Sequence, residues 1–257
     1  MNEPEKNSTL SRAFALLDCF SVDRPALGVR EAARMVKLST STTGRLMSLL
    51  KDMGVLRQNP ETKLYSLGGR VLSWAGVYSS TLDVRNAAIG LMKELWQETQ
   101  ETISLYVLEG DERVCVERLE SQQNVRIVAR LGKRLPLYAG SAGKVFLAFL
   151  PPARCKEILD RTDFSPLTPF TYTVRQDLET ELGIIAGQGF AVSHGEWVAD
   201  ASGVAAPIFA GGREIVAVLT ISGPSARFSP ERISHFSQRV VEVAAQLSQQ
   251  MGHRQVI

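Results

Sequence analysis

A chain of 257 residues has room for one large domain or two smaller ones, and 44% hydrophobic with 22% charged residues is an ordinary globular composition. Its three cysteines, Cys19, Cys115 and Cys155, are odd in number and far apart, so they fit neither a disulfide framework nor a zinc site with paired ligands. The net charge of +2 divides unevenly: residues 1–80 carry 11 Lys and Arg against 7 Asp and Glu, while residues 81–257 carry 18 against 20, the division expected of a DNA-binding head on a near-neutral body.

Met1 to Leu10 is polar and lacks a signal-peptide core, and the longest apolar run, Val145 to Leu150, is far short of a membrane span. The expectation is a cytoplasmic protein without metal or cofactor. Ser8 to Phe20 reads as a helix, capped by Ser8 or Ser11, with Leu10, Phe14, Leu17 and Phe20 inward. Val29 to Val36 is a second short helix. After the turn Lys37-Leu38-Ser39, a third runs from Thr40 to Met53 with Thr43, Leu46, Met47 and Leu50 inward, and Gly54 stops it. Val55 to Asn59 and Lys63 to Leu67 form a hairpin. Three helices and a hairpin describe a winged helix-turn-helix. Its third helix presents Ser39, Thr40, Ser41, Thr42 and Arg45 outward, where short hydroxyls and free N–H groups at a helix start reach phosphates and base edges. Gln58 and Lys63 stand where a wing meets the DNA backbone.

A connecting helix follows Gly68-Gly69, and another spans about Asp83 to Glu98, with Val84, Ala87, Ala88, Leu91 and Leu95 inward. Trp74, Tyr78, Leu82 and Trp96 are expected to stay exposed and to pair between subunits. From Thr102 the period becomes two: strands are expected at 102–107, 113–118, 125–129, 190–194, 203–209 and 214–222, the last two joined through Ala210-Gly211-Gly212-Arg213. Helices are expected at 142–150, 153–159 and 174–187, and a last one after Ser229-Pro230-Glu231. The class is α+β with one central sheet. The loop Tyr138 to Lys144 opens a helix with small residues, so the N–H groups of Ser141 to Lys144 can face an anion, most simply a carboxylate. It is no nucleotide P-loop, because Val145 follows Lys144 and Tyr138 stands where the first glycine would be. His194, Glu196 and Asp200 lie close together, but no hydrolase or metalloprotease motif accompanies them.

These blocks together resemble the IclR family of bacterial transcriptional regulators over roughly residues 8–250. The resemblance rests on Leu10 to Ala13, Ser41-Thr42, Arg45-Leu46 and Tyr65 to Gly68. It continues through Leu131-Gly132, Leu135 to Tyr138, Ala142 to Lys144 and Gly189 to Ala191. Glu196, Gly203 to Phe209, Ile221 to Pro224 and Arg227-Phe228 complete it. It implies a DNA-binding domain at 8–68, a helical linker at 69–81 and a GAF-like effector domain at 82–251. Operator DNA, a small-molecule effector and further copies of the chain, as a homodimer or dimer of dimers, would be the partners. The effector pocket would be formed by Gly140, Ser141, Ala142, Gly143, Glu196, Gly203, Thr220 and Ser222. Gly203 stands where the family often has a cysteine or another side chain, which leaves room in the pocket. An enzyme acting on a small organic acid is the alternative.

Overall fold

The computed structural model describes residues 9–252 apart from 22, 81–82, 128–129 and 212–213. The expected cap Ser8, the side chain of Tyr78, Leu82 and the turn residues Gly212 and Arg213 lie outside the described residues. The chain divides into two compact units, Met1–Thr81 and Leu82–Ile257.

In the first unit, α1 (Thr9–Leu17), α2 (Val29–Met35) and α3 (Thr40–Asp52) precede a small sheet and α4 (Gly69–Ser80). The inner face of α3 is the expected one, Thr43, Leu46, Met47 and Leu50, and it packs on Ala32 of α2. Helix α1 differs from expectation. Leu16 is the side chain it buries, while Leu10 and Phe14 are 68% and 59% exposed, so the apolar residues of its first turns face away from the core of this unit. The hairpin strands are shorter than expected, β2 (Leu56–Gln58) and β3 (Tyr65–Leu67). Asn59 turns its carboxamide back to accept from the N–H groups of Glu61 and Thr62, which ends the ladder early. A third strand, β1 (Ala26–Leu27), pairs with β3 in the order β1-β3-β2; two residues behind Pro25 leave no period to detect.

The second unit opens with α5 (Asp83–Thr99) and builds one antiparallel six-stranded sheet. Its strands are β4 (Thr102–Glu109), β5 (Glu112–Leu119), β6 (Arg134–Pro136), β7 (Ala191–His194), β8 (Ala201–Phe209) and β9 (Ile215–Pro224), ordered β6-β5-β4-β9-β8-β7. Between them lie α6 (Ser141–Phe149), α7 (Pro152–Arg161) and α8 (Arg175–Gln188), and α9 (Pro230–Gln250) ends the unit, capped by Ser229 as expected. Alternate residues of the central strands separate two cores. Ile103, Leu105, Val204, Ala206, Leu219 and Ile221 pack under α5 and α9. Tyr106, Ala205 and Val218 face α6, α7 and α8. Burial on both faces leaves even the polar alternates of β4, Thr102 and Ser104, without exposure, and makes β8 from Val204 to Phe209 a nearly continuous apolar run.

Two expectations fail here. The expected strand at 125–129 has no counterpart among its described residues: 125–127 form no ladder, 128–129 lie outside the described residues, and the edge beside β5 is taken by β6, whose Leu135 pairs with Arg113. Trp96 is half-buried, not exposed; it packs on the core and donates its indole N–H to the Glu120 carbonyl at 2.7 Å. No described helix is long and apolar enough to cross a membrane. Among the described residues, no group of three His, Cys, Asp or Glu is placed to hold a metal ion.

Candidate functional site

The head presents one polar edge. Ser39 caps α3, accepting from the Thr42 N–H at 3.1 Å and donating to the Thr42 hydroxyl at 2.9 Å. Thr40 and Ser41 are exposed at the first turn. Arg45 lies one turn on, exposed and with no carboxylate within ion-pair distance among the described residues. Gln58 donates its side-chain N–H to the Lys63 carbonyl at 3.0 Å, so it braces the wing tip with the group expected to contact DNA. Lys63 holds a left-handed φ of 58° at that tip, and Lys37 a φ of 54° in the turn before α3, where a glycine would sit without strain.

In the second unit, six of the eight expected pocket residues line one cavity of about 250 Å³: Gly140, Ser141, Ala142, Gly203, Thr220 and Ser222. Thr220 and Ser222 share a face of β9, as their spacing requires. Gly203 leaves less room than its missing side chain suggests, since a Cβ there would stand 3.1 Å from the Ser141 hydroxyl.

Gly143 and Glu196 lie behind the wall. A Cβ on Gly143 would come within 2.7 Å of the Leu137 carbonyl carbon and nearer still to the carbonyl oxygen and to Arg113 Nη1, so this glycine lets a buried arginine approach the backbone. Glu196 is buried and fully engaged: one carboxylate oxygen accepts from the Gly140 N–H at 2.8 Å, the other from Lys144 Nζ at 2.6 Å. Lys144, 1% exposed, also donates to Glu181 at 3.1 Å and to the Val192 carbonyl at 2.9 Å, which satisfies its three protons. The Glu196–Lys144 pair therefore fixes the start of α6 from behind.

The side chain that sequence reasoning missed is Arg113. It lines the cavity, is 4% exposed, and donates from Nη1 to the Pro136 carbonyl at 2.5 Å and the Ala139 carbonyl at 2.8 Å. Its Nε has no hydrogen-bond partner, and among the described residues no carboxylate lies within ion-pair distance. Burial holds its pKa below the usual arginine range. Its guanidinium lies 5.7 Å from the Tyr106 ring, and burial pushes the Tyr106 phenol up to about 12. Lys133 and Arg126 also line the cavity, and no described acidic side chain does. The Gly140 N–H is taken by Glu196 and the Lys144 N–H by the Gly140 carbonyl. Arg113 and Lys133, neither with a carboxylate in ion-pair contact among the described residues, and the start of α6 at Ser141 and Ala142 line one space, which is the chemistry of an anion site.

His194 hydrogen-bonds through Nδ1 to the Ser202 hydroxyl at 2.9 Å, which donates to Ser225; Glu196, committed to Lys144 and Gly140, does not orient it.

Two family models match the chain: the IclR helix-turn-helix domain at residues 9–60 and the bacterial transcriptional regulator IclR C-terminal domain at residues 76–249. The HTH-type transcriptional regulator KipR of Bacillus subtilis is 31% identical over 96% of this chain and 98% of its own. The crystal structure of the Thermotoga maritima IclR superposes with a TM-score of 0.81 at 30% identity, covering 95% of this chain and 99% of that one. An IclR homolog from Microbacterium hydrocarbonoxydans, complexed with 4-hydroxybenzoate, gives 0.84 at 28% identity with the same coverage.

Proposed function

The chain belongs to the IclR family of bacterial transcriptional regulators, and on that premise we propose that a small carboxylate-bearing metabolite, held in the cavity of the second unit, sets the affinity of the first unit for operator DNA. The observation that carries the effector half is Arg113. A buried guanidinium with no carboxylate in ion-pair contact costs several kcal/mol, which the more distant charge of Glu196 offsets only in part, and it is kept at a cavity wall beside a helix N-terminus, where a ligand carboxylate would supply the direct partner. The hydroxyls of Thr220, Ser222 and Ser141 supply neutral donors and acceptors around it. The relative complexed with 4-hydroxybenzoate shows a carboxylate-bearing molecule bound to a protein of this fold.

The DNA half rests on the start of α3 and the wing: Ser39 to Thr42 and Arg45 enter a groove, while Gln58 positions Lys63 against the backbone. We assign residues 8–68 to DNA, 69–81 to a helical linker and 82–251 to the effector. The head exposes Leu10 and Phe14 on α1 and Leu72, Trp74 and Val77 on α4, Leu72 to 78%, more apolar surface than a lone connector keeps in water. These faces pair between two copies, giving the symmetric dimer that a two-half-site operator needs, with a dimer of dimers as the higher assembly. The relatives reported above are regulators, and nothing in the cavity favours turnover of an acid.

The test is a DNA-shift titration against the protein's own upstream region, repeated with a panel of small organic acids. One class of acid should shift the wild-type curve, and Arg113→Met should abolish that shift while still binding DNA. An Arg113→Met protein that responds like wild type would remove the cavity from the account, as would a monomer in sedimentation at micromolar concentration for the assembly.

A further inference from the structure

The cavity holds more positive charge than one carboxylate needs. Arg126 is paired with Glu120 at 3.1 Å, which removes it from the count. Lys133 is not paired: among the described residues no carboxylate lies within ion-pair distance, and its ammonium rests over the Trp197 ring, 5.3 Å from the centroid. It is exposed, whereas Arg113 is buried. Both line the one cavity, Arg113 buried in its wall and Lys133 on its exposed side, and backbone pairing keeps their segments adjacent, since Leu135 of β6 pairs with Arg113 and the Cys115 N–H bonds the Lys133 carbonyl. A small α,ω-diacid in this cavity can present one acid group to each cation.

We infer that the effector is a dianion whose inner acid group meets Arg113 and the start of α6, and whose outer acid group meets Lys133 above Trp197. The inference rests on the reading of this cavity as the effector site. A monoacid satisfies the inner cation and leaves Lys133 in solvent. A diacid of matching length satisfies both, and the ammonium needs little reordering because Trp197 already holds it. The cavity volume of about 250 Å³ suits a compact molecule of this size.

Calorimetry on the full chain tests this with matched pairs: succinate against butyrate, glutarate against pentanoate, adipate against hexanoate. At least one diacid should bind about tenfold more tightly than its monoacid. Lys133→Met should erase that ratio and Lys133→Arg should keep it. A monoacid that binds as tightly as its diacid, or a ratio that survives Lys133→Met, overturns the dianion and leaves the effector site standing. If no acid of either kind binds, the effector site falls with it.

Discussion

Gly143→Ala inverts an ordinary rule. Replacing glycine by alanine inside a helix stabilises it by about 1 kcal/mol. Gly183 in α8 is such a position, exposed and with nothing within 4 Å of an added Cβ. At Gly143 the added carbon would stand 2.7 Å from the Leu137 carbonyl carbon, against about 3.5–4.0 Å for relaxed contact, with Leu137 O and Arg113 Nη1 closer again. The first two obstacles are backbone, so the clash cannot be relieved by rotating a side chain. Overpacking of this kind costs about 1–3 kcal/mol. Any movement of residues 137–143 that relieves it also pulls the Pro136 and Ala139 carbonyls from Arg113, at about 1.5 kcal/mol for each charged hydrogen bond weakened. Gly143→Ala should therefore destabilise the second unit by about 2 kcal/mol while Gly183→Ala stabilises it by about 0.5–1 kcal/mol. Urea denaturation of both variants, followed by calorimetric melts, reads the two signs side by side. Equal stability of the two alanine variants would show that Gly143 does not carry the close approach of Arg113.

Arg45→Ala should weaken operator binding by about 1–3 kcal/mol in a shift assay at physiological salt if the contact is bidentate to a base; unchanged affinity with intact fold would mean another face of the head meets DNA. Lys37→Gly should raise the melting stability of the first unit by about 1 kcal/mol, because a glycine at a φ of 54° carries no Cβ strain; a fall in stability would refute that strain. Tyr106 is an acid with its folded pKa raised to about 12 from an ordinary value near 10, so the folded state keeps the proton longer than the unfolded one. The stability it contributes is full below pH 10 and is lost between about pH 10 and 12, at about 1.4 kcal/mol per pH unit. Tyr106→Phe should flatten that alkaline decline in pH-dependent unfolding, and an unchanged slope would contradict the burial of the phenol.

How far the sequence revealed all this depends on where each signal lies. The inner face of α3 is legible because one amphipathic helix packs on its own unit. The face of α1 misleads because Leu10 and Phe14 have the right spacing and no core beneath them in this chain. Val125 and Ile127 alternate like a strand, yet the three residues Arg134–Pro136 take the edge, since only they bring Leu135 opposite Arg113. The loop wall of the cavity, Gly140 to Ala142, follows from small residues read locally, whereas Gly203, Thr220 and Ser222 come only from the family resemblance, because strand hydroxyls by themselves read as a solvated face. Arg113 escapes because an arginine in a strand pattern reads as solvent-facing; its burial is created 23 to 30 residues later, by two carbonyls and by Gly143. Glu196 is singled out in sequence but misplaced in role, because its partner Lys144 is 52 residues away.

The most direct measurement of the central claim is the operator-shift titration repeated with Ala142→Leu, using whichever acid shifts the wild type. Ala142 is buried at the cavity wall, and a leucine there fills the ligand's approach to Arg113 and the N–H groups of α6. The wild type should change its operator affinity by about 5–150-fold on adding the acid. Ala142→Leu should bind the operator as tightly as the ligand-free wild type and show no response. A variant that responds as fully as wild type would contradict the claim that this cavity controls DNA binding.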